Sequence, residues 1–302
     1  MKFKELSELW LEEKRMEIKK STFFLYKYCV RKYLLPNLSE TKTRNLSERK
    51  VREVFDSLLR GDYPLKATTA KNITMILRQI LRFASEHGFM KPIQIDMRIG
   101  VKKKIREPEV FDIDEQRIMM KKLLTGKDTD GKKLCIAMSL SLGLRIGEAC
   151  ALRLKDVDFH RGVVSINGTV QRINGELVLG SPKTEKSKRT IPIPNELISV
   201  LKKTLSSPVL SEATFLVSKT EKPTDPRVLR RFFHDFCVRN KIRPLKFHSL
   251  RHSFATRCIE SGVDCKTVSE ILGHASISTT LNLYAHPSMD AKRKCVNRVK
   301  LL

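Results

Sequence analysis

The stretch 247–286 limits what this chain can fold into more than any other part of the sequence. It reads FHSLRHSFATRCIESGVDCKTVSEILGHASISTTLNLYAH. His248 and Arg251 are three residues apart, so on a helix they project from one face. A short apolar stripe then predicts a second helix that ends at Gly273, because glycine suits the position after a helix. His274 follows directly, so two short helices offer two histidines and an arginine.

A third short helix is predicted after Ser276 or Ser278, either of which can cap it, and this helix carries Tyr284. The fork of an arginine side chain can hold two oxygens of a phosphate, and histidines move protons near neutral pH. A tyrosine hydroxyl, whose free pKa is about 10, becomes a covalent nucleophile if its proton is removed as it attacks. The three elements together therefore suit attack on a phosphodiester.

Three motifs within this stretch, HSLRHSFAT, ILGHASISTT and LNLYAH, resemble the C-terminal signature of the tyrosine recombinases, the phage integrase family. The resemblance is continuous from 247 to 286. It implies an enzyme that cuts and rejoins DNA, with a helical core-binding domain followed by a mixed α+β catalytic domain.

The resemblance extends upstream to two further segments, RIGE and PKTEKSKRTIPIP. In the first, Arg145 matches the family's first catalytic arginine and Glu148 its supporting acidic position. Taken alone, that spacing would describe an ordinary surface ion pair on a helix. In the second, Lys183 matches the catalytic lysine, while Lys186 and Lys188 are alternative phosphate contacts. On physical grounds alone the three lysines are not distinguished.

The resemblance implies a catalytic set of Arg145, Lys183, His248, Arg251, His274 and Tyr284, supported by Glu148. The arginines would hold the non-bridging oxygens of the phosphate, and the tyrosine would attack to form a 3′-phosphotyrosyl link and a free 5′-hydroxyl. The lysine would protonate the leaving oxygen, with His248 assisting proton transfer and His274 donating to the phosphate. Because the phosphotyrosine conserves the bond energy and arginines offset charge, no ATP, metal or other cofactor is expected.

The charge of the chain points to an anionic polymer as partner. Among its 302 residues, 59 are Lys or Arg and 33 are Asp or Glu, a formal net charge of +26. A surplus of this size favours double-stranded DNA as the partner. Since no apolar run approaches the ~20 residues that span a bilayer, no membrane association is expected.

The cellular setting follows from the N-terminus and the cysteines. The first residues are charged and amphipathic, unlike a signal peptide. The seven cysteines form no C-x-x-C pair and several occupy helical apolar positions, which predicts reduced, mostly buried thiols. We therefore expect a cytoplasmic, nucleoid-associated protein, bacterial by its resemblance.

The periodicity divides the chain into two domains and a linker. Residues 1–95 predict four helices with basic outer faces, which resemble the SAM-like core-binding domain of the family. Residues 96–108 read as a basic linker that would let two domains clasp a duplex. Residues 109–302 predict a catalytic domain that is mainly helical, with a small antiparallel β-sheet of three strands around a tight Asn174-Gly175 turn. Because the first predicted helix lies so close to residue 1, we expect no extra arm-binding domain of the kind that many integrases carry.

Several boundaries inside these domains are also predicted. In the N-terminal domain the second helix would run into Pro36, and its aromatic residues at helical spacing would mostly be core. Ser47 would cap the third helix, and Thr68 or Thr69 the fourth. In the catalytic domain, acidic residues would cap helices that begin after Asp112 or Asp114 and after Asp225, and Gly143 would end a buried helix.

Three rival chemistries are weaker. His248 and His252 have the spacing of two zinc ligands on a helix, but the zinc-protease pattern requires Glu where this chain has Ser249. Asp156 and Asp158 lack the third carboxylate that a two-metal nuclease needs. No glycine-rich phosphate loop is present in the sequence, which argues against ATP use.

The expected biology is strand exchange between two duplexes by a tetramer, with an accessory bending or excision factor as a possible partner. Integration and excision of a mobile element is favoured because TEKSKRTIP looks integrase-like. An Xer-like chromosome-dimer resolvase of the same family is the first alternative. A non-catalytic helical DNA-binding regulator is the second, and it would have no use for Tyr284.

Overall fold

The structure is a computed structural model, and the chain divides into two compact units, Met1–Ile105 and Arg106–Leu302. The structure describes residues 1–60, 64–93, 108–125, 130–181, 187–206, 208–274 and 276–278, together with positions 281 and 293. Of the expected linker 96–108, only residue 108 lies among these.

The first unit is helical throughout its described part. Its helices are α1 (Phe3–Glu17), α2 (Lys20–Cys29), α3 (Leu35–Leu38), α4 (Glu48–Arg60) and α5 (Ala67–Glu86), with a π-helical turn at Val30–Leu34 and a 3₁₀ turn at Thr43–Asn45. Trp10 is fully buried and stacks on Tyr26 with ring centroids 5.5 Å apart. Phe23 and Tyr33 also pack against this core, whereas Tyr28 is half exposed. Three of the five aromatic residues between positions 23 and 33 therefore pack against the core.

The helical run that begins with α2 does not end at Pro36 as predicted. The turn Val30–Leu34 widens to π geometry, in which the backbone N–H of Leu35 donates to the carbonyl of Val30, and the chain continues into α3. Pro36 stands in the first turn of α3, a position at which proline is tolerated. Widening the preceding turn also relieves the clash of the proline ring with the carbonyl four residues earlier.

The predicted caps in this unit had mixed outcomes. Ser47 precedes α4, and its Oγ accepts a 3.3 Å hydrogen bond from the backbone N–H of Lys50. The prediction for α5 was wrong, because the helix begins at Ala67 after Lys66, which makes no side-chain cap. Thr68 and Thr69 lie inside its first turn.

The second unit combines helices with two small antiparallel sheets. Its helices are α6 (Ile113–Leu124), α7 (Gly131–Leu142), α8 (Ile146–Ala151), α9 (Asn195–Leu205), α10 (Pro226–Arg239), α11 (His248–Glu260) and α12 (Cys265–Leu272). Its strands are β1 (Val157–Asp158), β2 (Val163–Ile166), β3 (Thr169–Ile173), β4 (Glu176–Gly180) and β5 (Arg189–Pro192). One sheet has the order β1-β2-β5, and β3 and β4 form a separate hairpin. The expected fold class, mainly α with small antiparallel β-structure, is confirmed.

The strands are more numerous than predicted. The three predicted segments contain β2, β4 and β5, and the described chain adds β1 and β3. The tight turn is present: Asn174 and Gly175 have φ of +50° and +90° between β3 and β4, as a hairpin turn of the primed type requires. Val170, the buried residue of β3, pairs with Leu179.

The core of the second unit is built around α7, whose residues are buried on nearly all sides. Helices α6, α8, α10 and α11 pack against it, as expected for a helix that is apolar all round. Asp112 and Asp225 cap α6 and α10 by accepting backbone hydrogen bonds, as predicted.

Gly143 ends α7 with a φ of +68°, and its missing side chain matters as well. A Cβ there would lie 2.5 Å from Cδ2 of Leu272 and 2.7 Å from Cδ1 of Phe254. The glycine therefore lets the C-terminal end of α7 approach both α11 and α12 closely. That junction positions the candidate site.

Candidate active site

Arg145 lies at the start of α8 and is anchored by Glu148 within the same turn. The backbone N–H of Arg145 donates to Oε2 of Glu148 at 3.0 Å, and its Nη1 donates to Oε1 at 2.7 Å. The Glu148 side chain is only 4% exposed, whereas that of Arg145 is 36% exposed. The sequence spacing therefore corresponds to a buried carboxylate beneath a partly exposed guanidinium, and not to a surface ion pair.

Arg251 lies on α11 and its guanidinium joins the ends of two other helices. Its Nη1 donates to the carbonyl of Gly143 at 2.8 Å and its Nη2 to the carbonyl of Leu272 at 2.7 Å. Arg145 also donates to Leu272, at 3.3 Å, and to the carbonyl of Gly273 at 3.0 Å. Both arginines thus meet at the C-terminal end of α12, where helix carbonyls attract positive charge.

His274 follows the left-handed Gly273 directly, and its backbone N–H donates to the carbonyl of Ser269 at 3.0 Å. Burial lowers the pKa of His274 to about 4, and the charges of Arg251 and Arg145 contribute to that shift. Burial, assisted by two nearby positive charges, therefore keeps this imidazole neutral near pH 7.

His248 begins α11 and contacts His252 one turn on. The two rings meet edge to face with centroids 4.6 Å apart. Burial lowers the pKa of His248 to about 4, and His252 adds to the effect. Its imidazole is therefore neutral near pH 7, in a site that holds several arginines and the Glu148 carboxylate.

Arg189 is a component of the site that the sequence interpretation missed. Its Nη1 and Nη2 donate to the two oxygens of Glu148 at 3.1 and 2.9 Å, and its Nε donates to the carbonyl of Ile271 at 2.5 Å. Burial would raise the pKa of Glu148, but the hydrogen bonds and charges of Arg189 and Arg145 hold it below its usual value.

A signal for Arg189 exists in the sequence. Side chains two residues apart on a strand share a face, and Ile191 of β5 is buried. An arginine placed on the inward face of a strand needs a buried anionic partner. The pattern R-T-I in the segment RTIPIP therefore indicates a buried ion pair.

Not every lysine and tyrosine predicted for the site can be placed. Lys183, Lys186 and Tyr284 lie outside the described residues, and Lys188 is exposed next to β5.

The described residues also bear on metal and membrane binding. They include no cluster of His, Cys, Asp or Glu suited to a metal ion. Asp156 and Asp158 instead accept backbone hydrogen bonds in local turns. Within the described part of the chain, no helix is long and apolar enough to cross a membrane.

Comparison with known proteins identifies the family. Residues 109–291 match the model of the phage integrase family, and residues 2–59 match that of the phage integrase N-terminal SAM-like domain. Since the first match spans more than half of the chain, the protein belongs to the phage integrase family, the tyrosine recombinases. The resemblance found in the sequence motifs is thereby confirmed.

The similar proteins include some named as tyrosine recombinases and others named as integrases. A tyrosine recombinase XerC-like protein of Caldanaerobacter subterraneus subsp. tengcongensis is 26% identical, covering 93% of this chain and 78% of that protein. The ICEBs1 integrase of Bacillus subtilis is 24% identical over 94% of this chain and 78% of that protein. The solved structure of the Tn1549 transposon integrase with circular intermediate DNA is similar with a TM-score of 0.80, at 20% identity and 99% coverage of both chains.

Proposed function

We propose that this protein is a site-specific DNA recombinase that cuts and rejoins DNA strands through a 3′-phosphotyrosyl intermediate. The observation that carries the proposal is the convergence of Arg145 and Arg251 on the end of α12, beside two histidines held neutral. Two guanidinium groups at one point suit the non-bridging oxygens of a phosphodiester. Membership of the phage integrase family supports the same reaction.

The reaction assigns a role to each group. Arg145 and Arg251 bind the phosphate oxygens and stabilise the charge that develops in the transition state. The hydroxyl of Tyr284 attacks phosphorus, the bond from phosphorus to the 5′-oxygen breaks, and the tyrosyl proton passes to His248. Lys183 protonates the departing 5′-oxygen, and a neutral His274 donates a hydrogen bond to the phosphate. Religation is the same sequence in reverse, so it needs no ATP.

The two units would divide the work. We assign residues 1–95 as the core-binding domain, 96–108 as the basic linker and 109–302 as the catalytic domain. The net charge of +26 supports binding to duplex DNA, and strand exchange between two duplexes requires four protomers. Because its substrate would be chromosomal DNA, we place the protein in the bacterial cytoplasm at the nucleoid.

The biological role we favour is integration and excision of a mobile element. The integrase-like segment after Lys183 supports it, as do the similarities to the ICEBs1 and Tn1549 integrases. The similarity to Xer-type recombinases supports chromosome-dimer resolution as the alternative. Recombination between sites on two separate replicons distinguishes them, because integration requires it and dimer resolution does not.

The experiment compares wild type with Tyr284→Phe on supercoiled plasmid that carries the DNA flanking its gene, without metal or ATP. We expect wild type to relax the plasmid and, after a detergent quench, to carry DNA covalently, and Tyr284→Phe to do neither. Tyr28→Phe is the matched control, because it removes a half-exposed hydroxyl in the other unit. Relaxation by Tyr284→Phe at the wild-type rate would overturn the mechanism. Binding by wild type without any covalent product would favour the non-catalytic regulator.

A further inference from the structure

The last carbonyls of α12 are held by three arginines from three different elements. Arg189 of β5 donates to the carbonyl of residue 271, and Arg251 of α11 to that of residue 272. Arg145, at the start of α8, donates to the carbonyls of residues 272 and 273. A helix end leaves such carbonyls without intrahelical partners. His274 directly follows residue 273, so these contacts also fix the position of the His274 backbone.

The three guanidinium groups differ in how far they reach solvent. The side chain of Arg189 is 7% exposed and that of Arg145 is 36% exposed, while Arg251 is 2% exposed. All three nitrogens of the Arg189 guanidinium donate to Glu148 or to the end of α12. The whole Arg189 guanidinium is therefore engaged by protein acceptors, and its effect on a substrate must pass through these neighbours.

Glu148 is the link between Arg189 and Arg145. Its carboxylate is buried and accepts one side-chain hydrogen bond from Arg145 and two from Arg189. A buried carboxylate that loses one cation draws more strongly on the other. Without Arg189, Glu148 would have Arg145 as its one cationic partner among the hydrogen bonds of the described residues. The guanidinium of Arg145 would then be drawn inward, away from an incoming phosphate.

We infer that Arg189 is a positioning residue for strand cleavage. By holding both oxygens of Glu148 and the end of α12, it leaves the guanidinium of Arg145 directed outward and sets the place of His274. The inference rests on the proposed function, since it concerns the residues assigned there to the phosphate. It predicts that Arg189 acts on the rate of cleavage and little on DNA affinity, which comes from many phosphate contacts.

The test is a double-mutant cycle with Arg189→Met and Glu148→Gln, read as the rate of covalent protein–DNA complex formation on the same supercoiled plasmid. We expect Arg189→Met to lower this rate roughly 10- to 100-fold, the usual effect of removing an outer-shell partner of a reactive group, with DNA affinity unchanged within about twofold. The double variant should be roughly threefold or more faster than Arg189→Met, because a neutral amide no longer draws Arg145 inward.

Matched controls separate this role from general stability. Arg172 lies on the β3–β4 hairpin and pairs with Asp225 at 2.6 Å. The Arg172→Met variant should cleave at the wild-type rate. Arg189→Lys keeps the charge but loses the fork, so an intermediate rate is expected even if Arg189→Met folds poorly.

Three results would overturn the inference. The first is a cleavage rate within twofold of wild type for both Arg189 variants. The second is a double variant whose loss of rate equals the product of the losses in Arg189→Met and Glu148→Gln. The third is a fall in DNA affinity as large as the fall in cleavage rate. If wild type itself forms no covalent complex, the proposed function is overturned and this inference with it. Cleavage by wild type with unaffected Arg189 variants would remove the inference alone.

Discussion

Burial is the main cause of the low pKa of both histidines of the site, and the charges of Arg251 and Arg145 lower the pKa further. Since the charge of Arg145 contributes to the low pKa of His274, we expect Arg145→Gln to raise that pKa from about 4 toward the usual 6.5. The C2 proton of His274 in NMR spectra recorded from pH 3.5 to 8 would show its titration.

The sign of this effect follows from charge alone. Removing a nearby positive charge favours the protonated imidazole, so the midpoint moves to higher pH. Arg172→Gln on the exposed hairpin is the control and should leave the titration of His274 where it is in wild type. An unchanged midpoint in Arg145→Gln would show that Arg145 does not contribute and that burial and the remaining charges set the pKa. Binding of a phosphate should act in the same direction as Arg145→Gln.

Single residues also show how far the sequence could predict the site. Motifs with fixed spacing gave Arg145, His248, Arg251 and His274, and the structure brings these four to the junction of α7, α11 and α12. Arg189 was missed because no motif was assigned to it, although its strand alternation was readable. The roles of Lys183 and Tyr284 stay predictions, since both lie outside the described residues.

At the scale of elements, the position of Arg145 depends on how closely α8 packs on β3. A Cβ on Gly147 would lie 2.5 Å from Oγ1 of Thr169 and 2.8 Å from the carbonyl of Val170. A backbone carbonyl within a strand cannot rotate away, so Gly147→Ala must displace α8. We expect a loss of about 1–3 kcal/mol in the free energy of unfolding and slower cleavage, because Arg145 begins that helix. Urea unfolding and the covalent-complex assay measure the two effects.

Gly180→Ala is the matched control for this substitution. A Cβ on Gly180, at the end of β4, would have no atom within 4 Å, so stability and cleavage should stay near those of wild type. Equal behaviour of Gly147→Ala and Gly180→Ala would show that α8 tolerates displacement.

Elements whose ends are set by local chemistry were predicted well. Asp112 and Asp225 as caps and Gly143 and Gly273 as helix ends all follow from short-range rules. Elements whose course depends on tertiary packing were not. The continuation of α2 past Pro36 through a widened turn and the uncapped start of α5 are cases in which packing against the core outweighed the local signal.

At the scale of the whole molecule, charge is the property that both units share. The positive surplus is divided almost equally between residues 1–105 and residues 106–302. A DNA duplex bound by both units would therefore release counterions along the whole segment that contacts the protein. For 6–10 phosphate contacts, the affinity should fall by about 10³ to 10⁵ between 50 and 200 mM salt. Fluorescence anisotropy with a labelled duplex over that range of KCl measures the slope.

The basic run 102–104 gives this prediction its internal control. The composition of the linker predicts that it follows the DNA backbone. Replacing all three lysines by alanine should then make the plot of log affinity against log salt less steep. The slope should fall in magnitude by about 0.9 for each phosphate that a lysine no longer neutralises. Cleavage chemistry, once DNA is bound at low salt, should be unaffected because the candidate catalytic groups lie elsewhere in the chain. If the triple variant has the same slope as wild type, the linker does not contact the DNA backbone. The salt dependence of binding would then come from the two units alone.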